Sequence, residues 1–380
     1  MLHAYQKPLI GKTVGVVFGS FAPLHQGHLD LIMRAKKEND GGCIVIVCGF
    51  NGDKGEPLMP HNKRYRYVRE FFADDDLVAV YAINDTEIGL DRYPNGWVGW
   101  MKEFNSIYDK AAPEQEYGHG EWHHPERVWY VGDEIYYNDL VNMWHEEAVL
   151  VDRTADNPIS ASMIRQNPIK NWDKITFPFR RVFSTNILIC GTASEGKTVM
   201  TADLGKYFNA PYSWEWARDY MKESCISDWE IESTDFIAFL EGQYNLNKKL
   251  INSPANHGVF FADSDSMITR MYAEYYSKDD SCIITPEDFK KVAVVADEIT
   301  RKSKWDKIFV LCPHGEFVDD HSRFMAHSGM SERWELFDIL CKNLRESGNW
   351  DKVTVLDGGY WNNFKTIVNY VKGIIEHGKN

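Results

Sequence analysis

The stretch Gly19 to His28, "GSFAPLHQGH", directly follows the apolar run "KTVGVVF" and places two histidines three residues apart. The run has the composition of a buried strand, and the spacing predicts that His28 lies in the first turn of a following helix, with His25 just before it. Both imidazoles and the helix N-terminus can then face one anion. An isolated histidine pair is about as often an ordinary loop feature, so the surrounding chain decides between these interpretations.

The chain around this stretch alternates short apolar runs with helical patterns. The runs are "TVGVVF", "CIVIVCGF", "LVAVYAIN", "RVWYVGDE" and "AVLVD" in the first half, and "NILICG", "GVFFADSD", "KIFVLCP" and "KVTVLDGG" in the second. Strands that alternate with helices predict parallel sheets with right-handed crossovers. The segment "NPIKNWDKITFPFRR" repeats neither pattern. We therefore predict an α/β protein of two domains, residues 1–180 and 181–380, with the boundary near Arg180.

Composition limits the classes of partner and location. The 380 residues include 42 Lys and Arg against 56 Asp and Glu, a formal net charge of −14, which disfavours nucleic acid and anionic membranes as partners. No signal peptide and no membrane-spanning apolar run is evident, so we expect no membrane insertion. The 7 cysteines are an odd number with no Cys-x-x-Cys pair, which favours reduced thiols and a cytoplasmic location. The oligomeric state stays open, a homo-oligomer included.

The second half contains a phosphate-binding signature. "GTASEGKT" matches G-x-x-x-x-G-K-[ST] and lies between an apolar run and a helical pattern, as that motif requires. Its backbone would cradle phosphates at a helix N-terminus, Lys197 would place a charge on the terminal phosphates, and Thr198 would ligate Mg²⁺. The residues predicted to bind the ATP of this half are Gly191, Ser194, Glu195, Gly196, Lys197 and Thr198.

Carboxylates follow two predicted strands of the same half. "GVFFADSD" ends in Asp263 and Asp265, and "SWEWARDY" supplies Glu215, Arg218 and Asp219. Ligands of open α/β sheets bind at the carboxyl ends of strands, so we place a Mg²⁺-linked acid here, with Asp263 as the firmest candidate. A nucleoside hydroxyl must lose its proton when it attacks a phosphate, and the general base stays open among the four carboxylates.

The nature of the phosphoryl acceptor decides between a kinase and a hydrolytic motor. About 200 residues leave no room for motor subdomains, which favours a small-molecule kinase. The polar segment "VDDHSRFMAHSGMSERW" carries Arg323 and Arg333 and is suited to a lid that closes arginines on the transferred group. Surface ion pairs are the alternative for any one of these arginines and for Arg218.

A second cluster complements the histidines of the first half. "ISASMIR" supplies Ser160, Ser162 and Arg165 at the start of another predicted helix. Together the two clusters can hold a triphosphate from both sides, as nucleotidyl transfer requires. A phosphate monoester that attacks the α-phosphorus is already ionised, so positioning and charge stabilisation must supply the rate without a protein base.

With these motifs in this order, the first half resembles the nucleotidylyltransferase superfamily. The whole chain resembles the bifunctional nicotinamide mononucleotide adenylyltransferase/ribosylnicotinamide kinase family, the NadR type. The resemblance implies a Rossmann-like nucleotidylyltransferase domain followed by a P-loop kinase domain. It further implies that nicotinamide riboside is phosphorylated by the second domain and the mononucleotide adenylylated by the first to give NAD, with ATP as co-substrate and Mg²⁺ as cofactor.

The resemblance also assigns residues. It places Gly19, Ser20, Phe21, His25, His28, Ser160, Ser162 and Arg165 around the ATP of the first domain, and Trp97, Asp133 and Glu134 at the pyridine nucleotide. The catalytic set would be His25, His28, Arg165, Lys197 and Asp263, with Glu215, Arg218, Asp219 and Arg323 at the kinase substrate. Ser162 stands where Thr is commoner, which keeps the hydroxyl. About a dozen residues precede the first strand, so a helix-turn-helix and DNA binding are not expected.

Two other functions compete with this one. The first is another nucleotidylyltransferase–kinase fusion, for example of the coenzyme A pathway, and the second is a sensor of NAD or ATP that regulates a transporter. Separately, "YGHGEWHHPE" gathers His119, Glu121, His123 and His124. Its glycines and Pro125 favour a loop over a metal site.

Overall fold

The computed structural model describes residues 6–117, 121–152, 158–314 and 329–377. The chain divides into two compact units, Met1–Val182 and Phe183–Asn380, close to the boundary expected near Arg180. Each unit is an α/β fold in which helices flank one five-stranded parallel sheet, so the predicted fold class is confirmed.

The first unit has the strand order β3-β2-β1-β6-β7. Its strands are β1 (Thr13–Gly19), β2 (Cys43–Gly49), β3 (Val78–Asn84), β6 (Glu126–Val131) and β7 (Glu147–Leu150). Its helices are α1 (Gln26–Glu38), α2 (His61–Phe71), α3 (Trp97–Ala111), α4 (Glu134–Asn138), α5 (Ala161–Gln166) and α6 (Phe177–Phe183). The order reverses between β1 and β6, and open α/β sheets bind ligands at the carboxyl ends of strands at such a point.

Burial explains why the apolar runs became central strands. Val14, Val16 and Val17 of β1 are all buried, because helices cover both faces of the sheet. Gly15 lets α1 lie close to this strand, since a Cβ at that position would come within 3.0 Å of Ala35. On the other face, α3 buries Phe104 against Trp129 of β6, with ring centroids 5.2 Å apart.

A short hairpin was not predicted. Strands β4 (Gln115–Tyr117) and β5 (Glu121–His123) pair antiparallel in the region where the glycines and Pro125 favoured a loop. Three residues per strand are too few for an alternating apolar pattern to appear in the sequence. The interpretation of this region as a loop was therefore wrong for the two strands.

The second unit has the strand order β12-β11-β8-β10-β9. Its strands are β8 (Thr185–Gly191), β9 (Tyr212–Ser213), β10 (Val259–Ala262), β11 (Lys307–Leu311) and β12 (Val353–Leu356). Its helices are α7 (Lys197–Phe208), α8 (Trp216–Ser224), α9 (Ser233–Ile251), α10 (Ser266–Tyr276), α11 (Pro286–Lys302), α12 (Met330–Glu346) and α13 (Gly359–His377). The central strand β8 is buried at every position, and the phosphate-binding motif begins where it ends.

The helices of the second unit owe their positions to a large apolar core. Residues of β8, β10 and β11 pack there against α9, α10, α11 and α12. Among the described residues, none of the helices has the length and apolar character needed to span a bilayer. All 7 cysteines are free thiols.

Candidate active sites

The two histidines of the first unit lie side by side at the carboxyl end of β1. His25 immediately precedes α1 and is 3% exposed, and His28 lies in the first turn of the helix. Their ring centroids are 3.8 Å apart with an angle of 33° between the planes. The rings of Phe21 and His28 pack at 78° to each other, with their centroids 5.1 Å apart. The structure thus brings both imidazoles to the helix N-terminus, the arrangement that the spacing predicts.

The serine-rich segment reaches the same place from the far end of the unit. Arg165 of α5 donates to the carbonyl of Ala22 at 2.5 Å and to Oγ of Ser162 at 3.1 Å. Ser160 caps α5 by accepting from the Met163 amide at 3.2 Å, which leaves its O–H free to donate elsewhere. A Cβ on Gly27 would lie 3.7 Å from Ile159, so α5 begins beside α1.

An arginine of α2, which sequence reasoning missed, holds the loop between β1 and α1 in place. Arg64 of α2 is 1% exposed and donates to the carbonyls of Ser20 at 2.5 Å, Cys48 at 3.3 Å and Met59 at 3.1 Å. Phe21 is fully buried with a φ of 45°, so it can offer a ligand its backbone rather than its ring. One arginine in a charged helix gives no sequence signal for this role.

The structure places the three residues assigned to the pyridine nucleotide in different surroundings. Trp97 is 2% exposed and packs edge-to-face with Phe18 and Tyr136, so its ring is not open for a pyridine ring to stack on it. Asp133 caps α4 by accepting from the Ile135 amide at 3.0 Å, while Glu134 is exposed. Stacking on Trp97 therefore requires a rearrangement of this cluster.

An aspartate links the segment that contains Trp97 to the segment that follows α4. Asp139 follows α4 and accepts from Nε1 of Trp97 at 2.8 Å and from the hydroxyl of Tyr93 at 3.0 Å. The more exposed ring there is Tyr93, at 39%. Sequence reasoning missed Asp139 because its two partners, Trp97 and Tyr93, lie 42 and 46 positions before it in the chain.

The phosphate-binding loop of the second unit has the backbone that its motif predicts. Gly191 and Gly196 have φ values of 148° and 75°, which glycine adopts without a Cβ clash. Ser194 has a φ of 63° and is the one residue of the three that adopts the left-handed region with a Cβ. Gly196 directly precedes α7, so the loop ends at a helix N-terminus. The Lys197 ammonium is 7% exposed and donates to the carbonyl of Thr192 at 2.6 Å, within the loop itself.

Thr198 and Asp263 meet at the end of β10. The threonine hydroxyl donates to Oδ2 of Asp263 at 2.5 Å. Asp263 is 1% exposed, and burial raises its pKa although the nearby Lys197 opposes the rise. Its other oxygen, Oδ1, is buried with no hydrogen-bond partner among the described residues. A buried carboxylate oxygen beside a hydroxyl is a donor set that fits Mg²⁺.

Two further candidates form one wall of an adjoining pocket. Arg218 donates to Glu215 at 2.7 Å, and the Glu215 side chain is 13% exposed. The pocket is lined by both residues and by the rings of Phe236, Phe239, Tyr272 and Tyr276. Asp219 is exposed and accepts from the Trp214 indole at 2.6 Å. Of the two carboxylates on this segment, Glu215 is the one that lines the pocket.

Asp265 has a structural role instead of a place beside the phosphate loop. It caps α10 by accepting from the Met267 amide at 2.9 Å, and its second oxygen accepts from the Trp305 indole at 2.8 Å. It is 2% exposed, and burial raises its pKa to about 6. Both oxygens therefore accept hydrogen bonds from the protein, which favours a structural role for Asp265 over the Mg²⁺-linked acid that the sequence also allowed there.

The two arginines assigned to a lid have different outcomes. Arg323 lies outside the described residues. Arg333 is 1% exposed on α12 and pairs with Glu195 of the phosphate-binding loop, so the expectation that its guanidinium closes on the transferred group was wrong. The Glu195 side chain is turned toward this arginine, which leaves the backbone of Glu195 as its contribution to phosphate binding.

The histidine-rich hairpin is described in part, and its described histidines have other partners than a metal. His119 lies outside the described residues, and His124 stacks on Tyr108 with ring centroids 4.9 Å apart and pairs with Asp109 at 3.4 Å. Within the described ranges, no group of three or more His, Cys, Asp or Glu side chains could hold a metal ion.

Comparisons with known proteins agree with the two-unit division. A cytidylyltransferase-like family matches residues 16–167, and an AAA domain family matches residues 186–361. The trifunctional NAD biosynthesis/regulator protein NadR of Escherichia coli is 27% identical over 377 residues, which cover 95% of this chain and 83% of that protein. A crystal structure of NadR protein in complex with NR is 32% identical, covers 98% of both chains and superposes with a TM-score of 0.81. A NadR structure with NAD and AMP-PNP is 31% identical with the same coverage.

Fold and sites together define an enzyme class, a nucleotidyltransferase joined to a P-loop kinase. Single relatives match both units, in the same order along the chain, and this identifies the family within that class. The chain belongs to the NadR family.

Proposed function

We propose that the chain makes NAD in two ATP-dependent steps. The second unit transfers a phosphoryl group from ATP to nicotinamide riboside, and the first unit joins the resulting mononucleotide to the adenylyl group of a second ATP, releasing pyrophosphate. The observation that carries this proposal is the 98% coverage of both chains by the NadR structure that contains NR. The sites support it, because each unit presents its own arrangement for a triphosphate.

In the first unit, the chemistry needs charge stabilisation rather than a base. The attacking group is the phosphate of the mononucleotide, which is mostly dianionic at neutral pH. His25, His28 and the amides at the start of α1 would bind the triphosphate and stabilise the charge that develops on it. Arg165 joins the two segments around the phosphates, since it already bonds the carbonyl of Ala22 before α1.

In the second unit, the attacking group is a ribose hydroxyl, which must lose a proton. Glu215 lines the pocket that reaches Ser264, the neighbour of Asp263, and is held by Arg218 at 2.7 Å. Asp263 contacts Thr198 instead. This division supports Glu215 as the group that accepts the proton and Asp263 as the acid on the metal side, while Lys197 holds the transferred phosphates.

Mg²⁺ belongs to this second site. Thr198 and Asp263 would hold it, because the threonine hydroxyl contacts Oδ2 of Asp263 and the second oxygen, Oδ1, is buried without a hydrogen-bond partner among the described residues. Magnesium in such sites takes one or two protein ligands and completes its shell with water and phosphate oxygens. When bound, the ion neutralises charge on the β- and γ-phosphates.

The direct test is a time course with the purified full chain. Nicotinamide riboside, ATP and Mg²⁺ are expected to give the mononucleotide first and NAD later, and supplied mononucleotide should give NAD without a lag. If neither product forms, the proposal is wrong. Formation of the mononucleotide without NAD would restrict the activity to the second unit.

A coenzyme A pathway enzyme is the competing assignment for the first unit. A phosphopantetheine adenylyltransferase of Lactococcus lactis is 37% identical, but over 59 residues that cover 16% of this chain and 34% of that protein. Phosphopantetheine offered with ATP is therefore expected to give no adenylylated product.

We also propose a reducing, cytoplasmic location, which the 7 free cysteines support. A fractionation experiment with a tagged chain tests that location.

A further inference from the structure

The phosphate-binding loop of the second unit contains an acidic side chain in an unusual position. Glu195 directly precedes the Gly-Lys-Thr end of the motif, and its side chain is fully buried. Its carboxylate accepts from the hydroxyl of Thr192 at 3.2 Å and from the amide of His314 at 3.2 Å. A buried negative charge in a loop that binds phosphates must be compensated, because like charges at short distance repel strongly where water is excluded.

The compensating charge comes from a distant part of the chain. Arg333 lies 138 positions away on α12, is 1% exposed, and pairs with the Glu195 carboxylate through Nη2. The same nitrogen donates to the carbonyl of His314 at 3.1 Å, and Nδ1 of His314 lies 3.3 Å from the carboxylate. Glu195 is thus held by residues that follow β11 and by residues of α12.

This pair is linked to the lysine that would hold the phosphates. Thr192 donates its hydroxyl to Glu195 and accepts from the Lys197 ammonium through its carbonyl. A movement of the Glu195 side chain would therefore move the residue on which Lys197 rests. Arg333 acts on the loop by compensating the negative charge of Glu195 and by holding its carboxylate in place.

We propose that Arg333 is a positioning residue for ATP binding in the kinase unit, and that it acts through Glu195 rather than through contact with the phosphates. The inference rests on the proposed kinase function. It requires that the harm done by losing Arg333 comes from the uncompensated charge of Glu195. Removal of that charge should then undo the harm.

The test compares R333M, E195Q and the double variant R333M/E195Q in the full chain. R333M is expected to raise the KM for ATP in riboside phosphorylation at least about tenfold, with the KM for nicotinamide riboside within about twofold of wild type. The double variant should recover most of the loss, because glutamine removes the charge and can keep both contacts: its oxygen can accept from the His314 amide, and its NH2 can donate to the Thr192 hydroxyl. R301M is the matched control, since Arg301 is exposed on α11 and pairs with Glu298, and it should change neither KM.

Three results would overturn the proposal. They are a normal ATP KM in R333M, an equal rise of both KM values, or a double variant as impaired as R333M. Adenylylation of supplied mononucleotide by the first unit measures, in the same samples, the amount of active chain, and scanning calorimetry shows whether the second unit is folded. If R333M does not fold, the double variant and R333K still decide. Both should fold and keep an ATP KM within about threefold of wild type, and a double variant that also fails to fold refutes the charge argument.

Failure of the substrate assignment can be told apart from failure of this inference. Photolabelling of the full chain by 8-azido-ATP, followed by mapping of the labelled peptides to residues 183–380, measures ATP binding in the second unit without any acceptor. The concentration that gives half-maximal labelling should rise about tenfold in R333M and return in the double variant. Wild-type labelling without riboside phosphorylation would refute the substrate and leave the role of Arg333 standing. Unchanged labelling in R333M would refute that role.

Discussion

The site of the first unit and the site of the second unit occupy equivalent places in two similar sheets but differ in the side chains they present. Each lies at the carboxyl end of the strand that opens its sheet, next to the N-terminus of the following helix. The first offers two imidazoles and Arg165. The second offers a lysine, a buried aspartate and the Glu215–Arg218 pair. The two sites thus have the same position in their sheets, but their side chains differ in acid–base character.

The acceptor explains this difference. A phosphate monoester attacks as an anion, so the first site needs cationic and dipolar groups and no base. A hydroxyl attacks as a neutral group, so the second site needs carboxylates for the proton and for the metal. Variants in the one site should therefore disable one reaction and spare the other.

The largest separation is expected from K197A. Loss of the ammonium that lies at the phosphate loop should lower riboside phosphorylation by about three orders of magnitude or more. Adenylylation of supplied mononucleotide should stay close to wild type, because the first unit has its own sheet and core. Both rates are measured by chromatography of the products. Equal loss of both activities would break the division of labour between the units.

A nearly equal effect is expected from D263N, which keeps the shape of the side chain and removes its charge. Phosphorylation should fall by about two to three orders of magnitude, because Asp263 is buried at the Thr198 hydroxyl with one oxygen available to a metal. The midpoint of thermal unfolding and NAD synthesis from the mononucleotide should be unchanged. Phosphorylation within about fivefold of wild type would exclude Asp263 and leave E215Q as the decisive variant.

The difference between these sites also shows what a sequence can predict. The phosphate loop, its lysine and Asp263 follow from local patterns, since strand, turn and helix are adjacent along the chain. The imidazole pair follows from its spacing together with the apolar run before it and the helical pattern after it. Arg64, Asp139 and the pairing of Glu195 with Arg333 do not, because each depends on which distant segments the folded chain brings together. The burial of Trp97 was missed for the same reason, since its neighbours come from other strands and helices.

H28A in the first site should have the opposite effect to K197A and D263N: it should impair adenylylation and spare phosphorylation. Removal of one preorganised donor at the start of α1 should lower adenylyl transfer by roughly two orders of magnitude and leave riboside phosphorylation unchanged. His28 contacts the ring of His25 at 3.8 Å between centroids, so H28N, which keeps a polar group but loses the ring, should be impaired as well. Normal adenylylation by H28A would contradict the assignment of the imidazole pair.

The smallest effect on activity is expected from D265N, the matched partner of D263N two positions away. Both oxygens of Asp265 are used by the Met267 amide and the Trp305 indole. Asparagine can keep the N-cap bond through its one oxygen but loses the bond to the indole, a loss that affects stability and not the phosphate site. Phosphorylation should therefore stay within about threefold of wild type. A loss as large as that of D263N would return Asp265 to the metal site.

The same variant should alter how stability depends on pH. Burial raises the pKa of Asp265 from 3.8 to about 6, so the folded chain holds this proton more tightly than the unfolded chain does. Its contribution is fully present below pH 4 and is lost as the pH rises through 6, a change on the order of 3 kcal/mol. Asparagine has no such proton to lose. Between pH 5 and pH 7, the unfolding temperature of the second unit should fall more in wild type than in D265N when measured by scanning calorimetry. Parallel curves for the two proteins would show that Asp265 is already ionised in the folded chain at pH 5, with the Trp305 and Met267 bonds outweighing its burial.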